Sequence, residues 1–223
     1  MSTIHSQLPY APSLRMSESE FVEWTNNDAS AEWVGATDQS TGELTKGEVI
    51  LKMPVEGDHD EIQRLIATVI ESICRRRKLG KVRGPEFTTR LTLKDKVVRR
   101  DPDVMFIGND RLANLKSTVL EGPADLVVEV VSPDSETRDF QSKFNEYQEA
   151  GVLEYWIVSP AYRRAYLFVR NAASQKFEQR EVTAEGFLES AVIPGLSFSL
   201  EDFFAEERPL AIDILKRIDP RLI

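Results

Sequence analysis

The sequence predicts an α/β or α+β fold, a mixed β-sheet flanked by helices, and three observations carry that reading. Asp125-Leu126-Val127-Val128-Glu129-Val130-Val131 is apolar on both sides of Glu129, the pattern of a strand covered on both faces. Ile62, Leu65, Ile66, Val69, Ile70 and Ile73 recur at helical spacing, so a long amphipathic helix lays one stripe on a core. The segments 126–131, 140–150 and 154–158 then read strand, helix, strand, which is a right-handed βαβ crossover.

The remaining elements follow in order. Residues 1–15 read as an irregular tail and 16–223 as a single domain. Ser17-Glu18-Ser19-Glu20 has the form of a capping box, with Phe21 and Trp24 at helical spacing behind it, so a short helix starts there. Residues 35–42 read as a loop, 44–53 as an extended segment, and 54–58 as a turn into the long helix, which ends near Leu79-Gly80. Extended segments are expected at 81–93 and 97–107, with a turn at Lys94-Asp95-Lys96 between them. Phe140, Phe144 and Tyr147 mark the second helix, closed by Ala150-Gly151. Strands follow at 154–158 and 165–169, and a hairpin within 176–198.

Composition narrows the function. With 41% hydrophobic residues the chain has enough apolar surface for a real core, and no run of 18 or more apolar residues suits a membrane span. No targeting segment is evident at the start, so the expectation is a soluble, cytoplasmic protein. The lone cysteine, Cys74, falls on the apolar stripe of the long helix and reads as a packed thiol. A net charge of −9 argues against a generic nucleic-acid coat. Residues 71–100, however, hold eleven basic and three acidic side chains, a local excess of eight that permits a basic face on an acidic protein.

Chemistry enters through two acids. Glu129 lies within an apolar strand, where an ionised carboxylate needs a cation or a proton to answer it. Asp103, in Asp101-Pro102-Asp103-Val104-Met105-Phe106-Ile107, enters a second apolar run. On adjacent strands the two make a hard, oxygen-rich site suited to Mg²⁺ or Mn²⁺. Metal-assisted phosphodiester hydrolysis also profits from a cation near the reacting oxygens. Val131, two residues beyond Glu129 on the same face, is no lysine, so the nearest candidate is Lys143, whose stem can run along apolar surface toward a buried acid.

The succession Ala31-Glu32-Trp33-Val34, Gly47-Glu48-Val49-Ile50, His59, Pro102-Asp103-Val104, Asp125 to Val131 with Ser132-Pro133, Lys143 to Tyr147, Ala150-Gly151-Val152 and Glu154-Tyr155-Trp156-Ile157-Val158 resembles the Uma-two family. The resemblance covers residues 21–204 and implies a restriction-endonuclease-like fold within the PD-(D/E)XK nuclease superfamily. It implies that Asp103 and Glu129 bind Mg²⁺ or Mn²⁺, that Lys143 is the catalytic lysine moved from the strand to the next helix, and that the substrate is nucleic acid, DNA in the first place. Residues 35–46 separate the Glu32 and Glu48 segments more widely than in the family, which leaves either acid a candidate further ligand, and Ser159-Pro160 replaces the usual Asp-Pro. His59, at the start of the long helix, reads as a residue that packs or hydrogen-bonds at the helix terminus rather than as a base. The expected activity is metal-dependent endonuclease. The alternative is a catalytically inactive nuclease-fold module that binds nucleic acid or protein. A homodimer is a further expectation, with the Trp156 strand and the 187–204 segment as its apolar surface.

Overall fold

The structure is a computed structural model of the chain and describes residues 14–25, 31–52, 57–131 and 139–223. Residues 1–13 of the tail expected at 1–15, residues 54–56 of the turn expected at 54–58, and Ser132-Pro133 lie outside them. Its elements are β1 (Arg15–Met16), α1 (Glu18–Thr25), β2 (Ala31–Ala36), β3 (Gly47–Leu51), α2 (Gly57–Arg77), β4 (Gly80–Arg83), β5 (Thr88–Thr92), β6 (Lys96–Arg100), β7 (Val104–Gly108), β8 (Val119–Glu121), β9 (Leu126–Val130), α3 (Phe144–Ala150), β10 (Glu154–Ser159), β11 (Arg164–Arg170), β12 (Phe177–Arg180), β13 (Phe187–Glu189), β14 (Ser197–Ser199), α4 (Leu200–Phe204) and α5 (Ala211–Ile218). A π-helical turn, Asp139–Lys143, leads into α3.

The strands divide into two six-stranded sheets, ordered β1-β3-β2-β6-β5-β8 and β12-β11-β10-β9-β7-β4, with β13 and β14 as a separate pair. Where the sequence suggests one sheet, the chain passes between two sheets five times, and two of the passages are short and marked by proline: β4 to β5 at Gly84-Pro85, and β6 to β7 at Asp101-Pro102-Asp103. Proline donates no N–H to a ladder and restricts the residue before it, so an extended run cannot continue through either position in one sheet. The run 97–107 is thereby cut into β6 of the first sheet and β7 of the second. Arg15, expected in the tail, instead pairs with Glu48 at the first sheet's edge.

β9 and β10 are parallel, with Glu129 level with Ile157, and α3 forms the crossover between them. Gly151 closes α3 at φ 94°, a left-handed position that glycine adopts without strain. One face of the second sheet, through Val104, Phe106, Val128, Val130 and Trp156, packs on the stripe of α2. Its other face, through Met105, Ile107, Val127 and Tyr155, meets Leu91 and Val98 of the first sheet and Tyr147 of α3. On the outside of the first sheet, Phe21 of α1 covers Trp33, Val49 and Val97. Each of these side chains adds about 1.5 to 3 kcal/mol by leaving water.

The apolar surface expected at a homodimer interface is used inside the chain. Trp156 is 1% exposed on an interior strand, and Leu188, Phe198 and Phe203 are buried in the same core. Among the described residues no helix is long and apolar enough to cross a membrane.

Candidate active site

Alternation decides which side chains reach the layer between the two sheets. Ala31 and Trp33 face outward under α1, so Glu32 faces inward; Val98 faces inward, and so does Arg100 two residues on. From the second sheet, Val127 and Val131 fix Glu129 on the same layer. At one end this layer is apolar; at the other it is ionic.

Lys143 lies at the centre of the ionic end, 3% exposed, with Nζ 2.9 Å from Glu129 Oε1 and 3.2 Å from Glu32 Oε1. Tyr147, one turn further along α3, donates its hydroxyl to Glu129 Oε1 at 2.8 Å. Burial, and then the charge of Glu129, raise the tyrosine well above its ordinary pKa, so it remains a donor. Arg100 holds the other side. It donates to Glu32 Oε2 at 2.9 Å and, through Nε and a terminal nitrogen, to both oxygens of Glu146 at 2.9 and 3.0 Å. Lys96 adds a bond to Glu146 at 2.7 Å. Burial works against the Arg100 cation, but Glu32 and Glu146 outweigh it and raise its pKa.

Asp103 stands at the start of β7. The pairing of Val104 with Val128 places it one step beyond, level with Glu129, and its Oδ2 accepts the Val130 N–H at 2.7 Å. His59 Nε2, from the first turn of α2, lies 3.2 Å from the same oxygen. Burial alone would lower the imidazole; the hydrogen bond and charge of Asp103 raise it above its usual value. Gln63, one turn along α2, donates to the Asp103 carbonyl at 3.2 Å. Asp101 is also near: burial raises its carboxyl, while Lys52 and the Thr88 hydroxyl, 2.8 Å away, oppose the rise.

The structure therefore brings together Asp103, Glu129 and Lys143, and it adds Glu32 as a partner of Lys143 and His59 as a partner of Asp103. It does not bring Glu48, which is exposed on β3. Sequence reasoning missed Arg100 and Glu146. The available signal was spacing: Lys143, which caps α3 in a helical conformation, and Glu146 and Tyr147 within it stand at i, i+3 and i+4, one face of a helix. Cys74 is buried in the other core with its thiol pushed up to about 12, so it offers no nucleophile.

Among the described residues no three His, Cys, Asp or Glu side chains converge as a metal cage. Mg²⁺ does not require one. It keeps several waters and is usually held by one or two carboxylates together with substrate phosphates, and the oxygens of Asp103 and Glu129 fit that donor set. Two cavities lie outside the cluster: about 520 Å³ between Glu18, Arg90 and Arg99, and about 540 Å³ between Asp58, Arg163 and Phe204.

Comparison with known proteins speaks to the family and the fold. The family model Uma2, described as "Putative restriction endonuclease", matches residues 29–201. The crystal structure of "a putative nuclease belonging to DUF820" from Anabaena variabilis ATCC 29413 shares the fold at a TM-score of 0.63 and 18% identity, over 85% of this chain and 98% of that one. No curated protein matches.

Proposed function

Because the chain belongs to the Uma2 family of restriction-endonuclease-like proteins, we propose that it is a metal-dependent endonuclease that hydrolyses phosphodiester bonds in DNA. One observation carries the proposal: two carboxylates from paired strands, Asp103 and Glu129, stand level with each other, with the Lys143 ammonium 2.9 Å from Glu129. A buried acid pair beside a lysine is costly for a fold to maintain and gives no packing advantage, which favours a chemical role.

Asp103 and Glu129 would hold Mg²⁺ or Mn²⁺, which when bound lowers the pKa of a coordinated water and offsets charge on phosphoryl oxygens. The protein's own groups do the positioning. The Val130 N–H and His59 Nε2 both address Oδ2 of Asp103, which fixes the plane of the carboxylate. Tyr147 fixes Glu129 in the same way. Lys143, anchored by Glu32, keeps a positive charge beside the reacting phosphate, where it steadies the attacking oxygen or the pentacovalent phosphorane.

Purified protein is expected to nick supercoiled plasmid with Mg²⁺ or Mn²⁺, and Glu129→Ala to abolish nicking while circular dichroism shows an intact fold. Failure of the wild type to cleave plasmid, single-stranded DNA or RNA with either metal rejects the enzyme and leaves the inactive binding module.

A further inference from the structure

The basic excess between residues 71 and 100 is not used up by the candidate active site. Apart from Arg75, 3.4 Å from Glu71, and the exposed Lys94, the structure divides it in two. Arg90 and Arg99 lie 2.5 and 3.1 Å from Glu18, Lys96 and Arg100 are held by Glu146, and Arg77 is 3.6 Å from Asp219; these cations are answered within the fold. Arg76, Lys78 and Lys81 are exposed and Arg83 is half-buried, and among the described residues none of the four has a carboxylate at ion-pair distance. The acids nearest along the chain are Glu71, which pairs with Arg75 at 3.4 Å, and the exposed Glu86 beyond Arg83.

The position of these cations is what gives them meaning. β4 is the edge strand of the second sheet, next to β7. Lys81 is level with Ile107 and Arg83 with Met105, so both project from the face that carries Met105, Ile107 and the Asp103–Glu129 pair. β4 runs antiparallel to β7. The cations therefore step from Lys78 at the turn, through Lys81, to Arg83, which stands one strand over and two residues from Asp103, roughly 7 Å along the strand direction. Arg83 is held at this edge, its guanidinium 5.2 Å from the centre of the Phe87 ring and one N–H donated to the Val82 carbonyl. Four of its five N–H groups remain for another acceptor.

We propose that the β4 edge seats the sugar–phosphate backbone of the substrate, with Lys78, Lys81 and Arg83 on phosphates of a nucleic-acid strand whose scissile phosphodiester lies at Asp103 and Glu129. This rests on the nuclease reading above and names the surface that delivers the substrate. In a chain of net charge −9, unanswered cations gathered on one edge and ending at the acid pair are complementary to a polyanion that runs to that pair. The competing role for basic residues on an edge strand is to keep sheets from pairing edge to edge.

The test is fluorescence anisotropy of a labelled DNA duplex in EDTA over a series of salt concentrations, with wild type, Lys81→Gln/Arg83→Gln, and Lys176→Gln/Arg180→Gln. The last pair removes the same charge around β12, at the opposite edge of the sheet. Loss of two phosphate contacts weakens binding roughly tenfold and flattens the slope of log K against log salt by about 1.8. The β12 variant binds as the wild type does, and in the nicking assay the β4 variant raises KM while kcat holds. A wild type that binds and cleaves, with a β4 variant of unchanged slope, overturns the track alone, and so does a β4 variant whose only change is self-association in the ultracentrifuge. A wild type that neither binds nor cleaves any nucleic acid overturns the nuclease reading and the track together.

Discussion

Lys143 is held in place by a chain of charges that begins at Arg100. The guanidinium spans Glu146 and Glu32, and Glu32 in turn reaches Lys143, so one buried cation sets the acid that anchors the other. All of these groups are at most 4% exposed. Buried charges persist only when each is paired and hydrogen-bonded, and removal of one member leaves an uncompensated partner. Glu146 tests this most cleanly, because it touches neither Asp103 nor Glu129. Burial pushes its carboxyl up, but Arg100 and Lys96 more than reverse that and hold it below its ordinary 4.5. A depressed folded pKa gives a contribution that is complete above the unfolded value and is lost as pH falls through the folded one. Glu146→Gln is accordingly expected to lower stability by about 3 kcal/mol at pH 7. The gap between variant and wild type then narrows on acidification below pH 4.5, in urea melts taken at several pH values. A gap that stays constant into that acid range shows that the carboxylate is not what the network needs.

Elements explain which parts of this were legible. The stripe of α2, the apolar runs of β9 and β10 and the crossover through α3 follow from periodicity alone, because each buries a face against one neighbour. The division into two sheets was not legible by that route: Pro85 and Pro102 mark breaks, but a break does not say which sheet the next strand joins. Asp103 and Glu129 stood out as acids in apolar strands. Arg100 looked like one more member of a basic run, since its burial depends on Glu32 and Glu146, 68 and 46 residues away. The glycines of the Trp33-Val34-Gly35 and Gly47-Glu48 segments have a packing cause that only the folded sheet displays. Trp33 Nε1 donates to the Met16 carbonyl at 3.0 Å, and the indole lies flat over both positions. A Cβ on Gly35 would come within 2.1 Å of the ring and one on Gly47 within 2.3 Å. Gly47→Ala is therefore expected to destabilise by about 1 to 3 kcal/mol, the usual penalty for overpacking a fixed ring. Trp33→Leu should recover part of that loss in the Gly47→Ala background, because it removes the ring the methyl strikes. If Gly47→Ala melts with the wild type, the indole is not seated on these glycines.

At the scale of the whole molecule the site is a seam. The first sheet supplies Glu32 and Arg100, the second supplies Glu129 and, at the start of β7, Asp103, the π-helical turn supplies Lys143, α3 supplies Glu146 and Tyr147, and α2 supplies His59. A divalent cation on Asp103 and Glu129 would therefore bind the folded state alone, since the unfolded chain does not hold residues 103 and 129 together. Such a ligand stabilises by mass action, about 2.7 kcal/mol at a hundred times its Kd, which for a chain of this length raises Tm by roughly 5 to 10 °C. Differential scanning calorimetry with increasing Mn²⁺ is expected to show that rise in the wild type and none in Asp103→Asn. His59→Ala separates positioning from ligation. The variant keeps both carboxylates but frees Asp103 Oδ2 from its imidazole partner, so the same rise in Tm is reached at roughly 10 to 100 times more metal, the usual consequence of losing a group that orients a ligand. An equal rise in Asp103→Asn places the metal elsewhere, and a His59→Ala curve that overlays the wild type removes His59 from the site. Because the readout is stability rather than cleavage, it judges the metal centre independently of whether any DNA is cut.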